Sequence, residues 1–251
     1  MIKIAEPYPS ILLTDNNGEK NGIISDLHLG MEASYLRTAD FPSLHSEKTI
    51  KKTIDLIKKY NPDKLILLGD IKHSIGRPFR EEKQILEYFF WTLDDLNMET
   101  VIVKGNHDGG LEKYIENYKY VRIHEETWIK IELENEKFAF LSHGHTKIPQ
   151  KFLDEANLMV VGHLHPSVKV FLSDGQQSVI RVILKISKRI GNTDKTVIVL
   201  PAFGSMGGYV FRYSELARMI PIFRQLDLDC GEAEVIDLAR NYLGKLVELQ
   251  K

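Results

Sequence analysis

The chain has one cysteine, Cys230, among 251 residues. No disulfide can form within it, and a reducing compartment is the natural setting. No apolar run approaches the ~18–20 residues that a membrane-spanning helix needs. Residues 1–30 carry no basic stretch followed by an apolar one, so no secretory signal is expected. An excess of charge of either sign is also lacking, the formal net charge being −2. No basic field covers the molecule, which argues against binding nucleic acid through bulk charge. Local positive charge from a bound metal would escape that argument. Repeats, low-complexity segments and linkers are absent. The expectation is a cytoplasmic enzyme or binding protein with no membrane contact, folded as one domain over residues 1–251.

What is present is alternation. Residues 11–14 and 21–25 read as two short strands joined by a turn at Asp15-Asn16-Asn17-Gly18. Residues 46–60 carry Ile50, Ile54 and Ile57 at helical spacing. KLILLGD then reads as a strand buried on both faces. A second helical stretch at 81–96 leads to VIV at 101–103, and there Trp91, beside Phe89 and Phe90, reads as core. WIKIEL and KFAFLS within 128–142 are expected to pair, 149–155 to form a helical turn or two, and LMVV at 158–161 to be another buried strand. Strands follow at VKVFL, SVIRVILKI, TVIVL and YVF. Residues 234–249 fit a helical period, although EVIDLA fits a strand equally well. Together this predicts an α/β fold: a four-layer α/β/β/α sandwich of two mixed sheets with outer helices.

The chemistry gathers where the strands end. After IIS come Asp26-Leu27-His28, after LILLG comes Asp70, and after VIVKG come Asn106-His107-Asp108. After KFAFLS comes His143, and after LMVVG come His163 and His165. A lone Asp after a strand is usually a turn or cap residue, and a lone His is usually inert. Five strands in order, each ending in groups able to bind a metal, are another matter, because loops at strand carboxyl ends converge on one crevice. Mixed oxygen and imidazole donors suit borderline metals such as Mn²⁺, Fe²⁺, Zn²⁺ or Co²⁺, and the absence of thiolates argues against a structural zinc site.

In this order the segments resemble the calcineurin-like binuclear metallophosphoesterase superfamily. Its D-x-H, G-D, G-N-H-D/E, lone H and G-H-x-H elements all have counterparts here. SDLHLGMEA, GDIKHSIG, VVGHLHPSV and PAFGSMGG further resemble archaeal SbcD-related phosphoesterases. The resemblance implies two divalent ions, manganese first, with iron, zinc, cobalt or nickel as alternatives. It implies Asp26, His28, Asp70 and His165 on one ion, and Asp70, Asn106, His143 and His163 on the other. Two such ions bring +4 and the two aspartates −2, leaving about +2 to attract a phosphate ester. The implied reaction is attack on phosphorus by a hydroxide held between the ions.

The resemblance keeps His107 out of the ligand set, as phosphate stabiliser or general acid, with Asp108 orienting it or capping the next helix. It places His73 against substrate phosphate. His145 is expected to support a ligand or touch substrate. His45 and His124 match nothing. Arg181, Lys185, Lys188, Arg189 and Lys195 could form a nucleic-acid-facing hairpin, or a solvated edge strand. Pro201–Gly208 could form a glycine-rich substrate loop. The implied function is a phosphodiesterase acting on nucleic-acid ends or nucleotide diesters. A phosphomonoesterase or small-nucleotide hydrolase stays open, as does a non-catalytic interaction module on the same fold. The oligomeric state is left open.

Overall fold

The computed structural model describes residues 1–35, 44–171, 175–204, 208, 210 and 213–249. Its elements run β1 (Ile2–Ile4), β2 (Ile11–Thr14), β3 (Lys20–Ile24), α1 (Met31–Tyr35), α2 (Leu44–Tyr60), β4 (Lys64–Leu68), α3 (Arg80–Asp95), β5 (Glu99–Val103) and β6 (Val121–Ile123). There follow β7 (Trp128–Leu133), β8 (Lys137–Ser142), α4 (Gln150–Glu155), β9 (Leu158–Val161), β10 (Ser167–Phe171), β11 (Gln177–Ile190) and β12 (Thr193–Val199). The last elements are α5 (Tyr213–Met219), α6 (Pro221–Gln225), β13 (Glu234–Asp237), β14 (Tyr242–Lys245) and α7 (Leu246–Leu249).

The strands make two mixed sheets. The first has the order β1-β2-β3-β4-β5-β6, with β3 to β6 parallel. The second has the order β14-β13-β11-β12-β9-β8-β7, with β9 parallel to both β12 and β8, and β10 paired with the start of β11.

Three apolar clusters explain the continuous hydrophobic runs. In β4, Leu65 and Leu67 pack under the helices, whereas Ile66 and Leu68 face the second sheet. In β9, Met159 and Val161 pack against the helices on the far side, and Leu158 and Val160 face the first sheet. Each central strand is thus buried on both faces, and strand alternation splits its side chains between an outer and a shared inner core. The result is the expected helix–sheet–sheet–helix layering. Among the described residues, no helix is long and apolar enough to cross a membrane.

Three expectations change. Trp91 is 53% exposed, because Phe89 and Phe90 take the buried face of α3 with Leu86 and Leu93. It stacks outside on Tyr88, one helical turn earlier, with ring centroids 6.0 Å apart. Residues 234–249 form β13 and β14 before the short α7, so the strand alternative for EVIDLA is the observed one. Most of the basic stretch is tied down rather than a free cationic face. β11 lies between β13 and β12 at Val182–Lys185, whereas Lys188 and exposed Arg189 pair with β12 alone, as on an edge. Arg181 donates to the carbonyls of Ala202 and Gly204, Lys185 pairs with Glu234, and Lys188 pairs with Asp227. Lys195 is buried against the carbonyls of Leu153, Asp154 and Ala156. In the expected strand at 209–211, residues 209 and 211 lie outside the described set, as do residues 205–207 of the expected substrate loop.

Neighbouring aromatic residues should therefore respond differently to truncation. Phe90→Ala should cost about 3–5 kcal/mol of stability. Trp91→Ala should cost less than about 1 kcal/mol. Urea unfolding of the two variants measures the contrast.

Candidate metal centre

The centre forms where β3, β4, β5, β8 and β9 end. Beyond β3 and β4 the backbone stays zipped: Asp26, His28 and Leu29 donate from their amides to the carbonyls of Gly69, Asp70 and Ile71, at 3.0, 2.9 and 2.8 Å. Leu27 and Leu29 are fully buried in the core under the helices. That alternation turns Asp26 and His28 away from the core. Leu164, fully buried in the other outer core, does the same for His163 and His165. A buried leucine between each polar pair is why the histidines occupy alternate positions.

The backbone bends sharply to do this. Asp26, His28, Asp70, His163 and His165 all have positive φ, between 46° and 72°. Non-glycine residues seldom adopt this region, and such strain gathers at functional sites. Gly69, at φ 74°, allows close approach from the other sheet, since a Cβ there would lie 2.6 Å from Cγ of His143.

Each aspartate is held by one oxygen and offers the other. Asp26 Oδ2 accepts the amide of His163 at 3.0 Å, and Oδ1 stands 3.0 Å from both His143 Nε2 and His165 Nε2. Asp70 Oδ1 accepts the amide of His107 at 2.9 Å. Its Oδ2 faces His143 Nε2 at 3.4 Å, and His28 and His107 Nε2 at 3.8 Å. Nitrogens on one ion, bound at about 2.0–2.1 Å, stand roughly 3.0–3.4 Å apart. His28 Nε2 and His165 Nε2 are 3.3 Å apart. Among the described residues, three groupings bring ligand atoms within 4.8 Å of one another: Asp26, His28 and His165; His28, Asp70 and His107; and Asp70, His143 and His163. The donor set fits divalent cations.

Electrostatics favour neutral imidazoles. Burial, reinforced by neighbouring histidines, pushes His28 down to about 3 and His163 down to about 4. His143 goes the other way. Burial alone would lower it, but the hydrogen bond to Asp26 and the charges of Asp26, Asp70 and Asp108 raise it. His145 is lowered by burial and by His143, and its Nδ1 stands 3.0 Å from His143 Nδ1. Burial would raise Asp26, yet His165 and His143 hold it well below the usual carboxylate range.

The remaining sequence candidates divide. His107 and His73 both lie beside His28, with ring centroids 5.0 and 5.5 Å from it. Asn106 is exposed just past β5. Asp108 neither grips the His107 ring nor stands at a helix cap. Its buried carboxylate accepts the amides of Ile71, Lys72 and Gly105, tying the β4 and β5 loops together. Burial pushes it up to about 6.

Two supports escaped the sequence reading. Glu82 and Lys72, both fully buried, hold the turn that carries His73. Glu82 looked like an ordinary first-turn acid of α3, and no local pattern marked it. Phe203 and Gly204 reach the centre through the backbone, donating amides to the carbonyls of Ser25 and Asp26.

The fold has known counterparts. A nuclease MPE from Pseudomonas putida aligns over 81% of this chain and 92% of its own, at 18% identity and a TM-score of 0.51. YfcE, a phosphoesterase from E. coli, aligns over 90% of this chain and 97% of its own, at 15% identity and a TM-score of 0.44. A comparison with curated proteins found no match. The family model described as calcineurin-like phosphoesterase matches residues 22–189, well over half of the sequence and every strand end at the centre. The chain belongs to the calcineurin-like phosphoesterase family.

Proposed function

We propose that the protein is a phosphodiesterase acting on nucleic-acid ends or nucleotide diesters, a finer reading within the metal-dependent hydrolase chemistry of its family. The observation that carries it is the inward aim of the ligand atoms. Asp26 Oδ1 stands 3.0 Å from two imidazole nitrogens, and His28 and His165 present nitrogens to each other at 3.3 Å. One ion would be held by Asp26, His28, Asp70 and His165, and a second by Asp70, Asn106, His143 and His163. Bound there, the ions would supply positive charge and a water that ionises near neutral pH.

The chain's own groups do the rest. Asp70, fixed by the His107 amide, is shared between the two ligand sets. His145 engages His143 Nδ1 and so leaves His143 Nε2 toward the centre. His107 Nδ1 meets the carbonyl of His73, so the proton passed to the leaving oxygen moves at Nε2. His73, half-buried beside His28 and His107, contacts the phosphate. The diester preference rests on the SbcD-like motifs and on two histidines placed for phosphate and leaving group.

Asp70→Asn should lower both metal content and activity. His107→Ala should keep its metal and lose about 10²–10⁴-fold in turnover. Loss of metal from His107→Ala would make it a ligand of the His28–Asp70–His107 grouping instead.

Without metal, the carboxylates around His143 favour its protonated form, and an ion must displace that proton. Affinity for the second ion should therefore rise with pH as His143 gives up its proton and fall as pH drops. His28 and His163, already neutral down to about 3 and about 4, should add nothing there. Mn²⁺ calorimetry in buffers of different ionisation heat should show proton release, and an affinity independent of pH would contradict the assignment.

With Mn²⁺ added, bis-p-nitrophenyl phosphate should exceed p-nitrophenyl phosphate in kcat/KM, and EDTA should abolish both activities. His73→Ala should harm oligonucleotide cleavage more than the small diester, because positioning a polymer end depends more on that contact. Preference for the monoester would replace this reading with a phosphomonoesterase.

A further inference from the structure

A single peptide group joins α3 to His107. Glu82 Oε1 accepts the amides of His73 and Ser74, each at 2.9 Å, and Oε2 accepts the Ser74 hydroxyl. The carboxylate is therefore spent on the loop, not on the amides of its own helix. The 73–74 peptide is trans and planar, so its N–H and C=O point in opposite directions. With the Ser74 N–H on Glu82, the His73 carbonyl is aimed the other way, where it meets His107 Nδ1.

The turn is braced from its other side. Lys72 Nζ donates to the carbonyls of Ser74, Ile75 and Gly76. Gly30 gives Glu82 its room, since a Cβ there would lie 2.7 Å from Glu82 Cβ. A buried carboxylate is costly unless its acceptors are filled, and these are filled by this one turn. The peptide plane is thereby fixed, and a carbonyl on Nδ1 requires the proton there.

We infer that Glu82 is a positioning residue for His107: by setting the 73–74 peptide plane it holds the His107 ring with its proton on Nδ1 and Nε2 toward the centre. The inference rests on the reading that His107 exchanges a proton at Nε2. No sequence motif of the centre includes Glu82.

The test combines kinetics on bis-p-nitrophenyl phosphate in Mn²⁺ with ¹⁵N NMR of the histidine rings in the full chain. Glu82→Ala should lower kcat about 10–100-fold, a usual cost for losing such outer support, with KM and metal content unchanged. Glu82→Gln keeps an oxygen for the Ser74 amide and should restore most of the loss. In a His107→Ala background, Glu82→Ala should cost nothing further. The His107 spectrum should show the Nδ1–H form in wild type and Glu82→Gln, and a tautomer mixture in Glu82→Ala. Should Glu82→Ala not fold, Glu82→Asp, which withdraws the carboxylate by one methylene, is read the same way. Equal loss with and without His107, or an unchanged tautomer, overturns the inference. If His107→Ala turns over at the wild-type rate, the proton-transfer reading fails, while the tautomer measurement still decides the role of Glu82.

Discussion

The Asp26 carboxylate is the constraint on which the rest of the centre depends. It leaves the first sheet at the end of β3, yet its side-chain partners, the His163 amide and the rings of His143 and His165, belong to the second. It is fully buried. A charged group in that position is tolerable only with its partners in place, so it ties the two sheets at one separation. Gly162 is part of the same constraint, because a Cβ there would lie 2.6 Å from Asp26 Oδ2. The remaining ligands then fall within reach of one another without long side chains.

The backbone strain has a nearby counterweight. A residue in a sparsely populated conformation costs on the order of 1–3 kcal/mol, and Asp26, His28, His163 and His165 are four such residues in two tripeptides. Each tripeptide also buries a leucine completely, Leu27 in one and Leu164 in the other. Burying a leucine stabilises by about 1.5–3 kcal/mol, so anchor and strain are of the same order. The amides of Phe203 and Gly204 add support, and Arg181 holds the segment that carries them.

The layers and the positions of the candidate ligands were legible because they rest on local rules. LILL and LMVV announce strands with two buried faces, and polar residues directly after them fall at one end of a sheet. Other features depend on who faces whom at long range. Asp108 works on amides 36 and 37 residues away, and Glu82 on amides 8 and 9 away. Neither leaves a pattern in composition or spacing. Trp91 misled because Phe89 and Phe90 beside it are core and three aromatics in a row look alike. The helical period also gives the third one a direction, which is outward. EVIDLA was ambiguous because four apolar residues in six satisfy either period over so short a span. The pairing of β13 with β11 settles it.

The division of the candidate ligands between the sheets also bears on how the chain comes together. The candidate ligands Asp26, His28, Asp70 and Asn106 precede β6, and His143, His163 and His165 follow β7. The Asp26–His163 hydrogen bond spans 137 residues. Closing a free loop of that length costs about 4 kcal/mol of chain entropy, more than one hydrogen bond returns. The bond is favoured once each sheet has assembled and shortened the path between them. A cation held by residues of both sheets would be captured fully only when the sheets dock, and would then act as a lock on the sandwich rather than a seed for it.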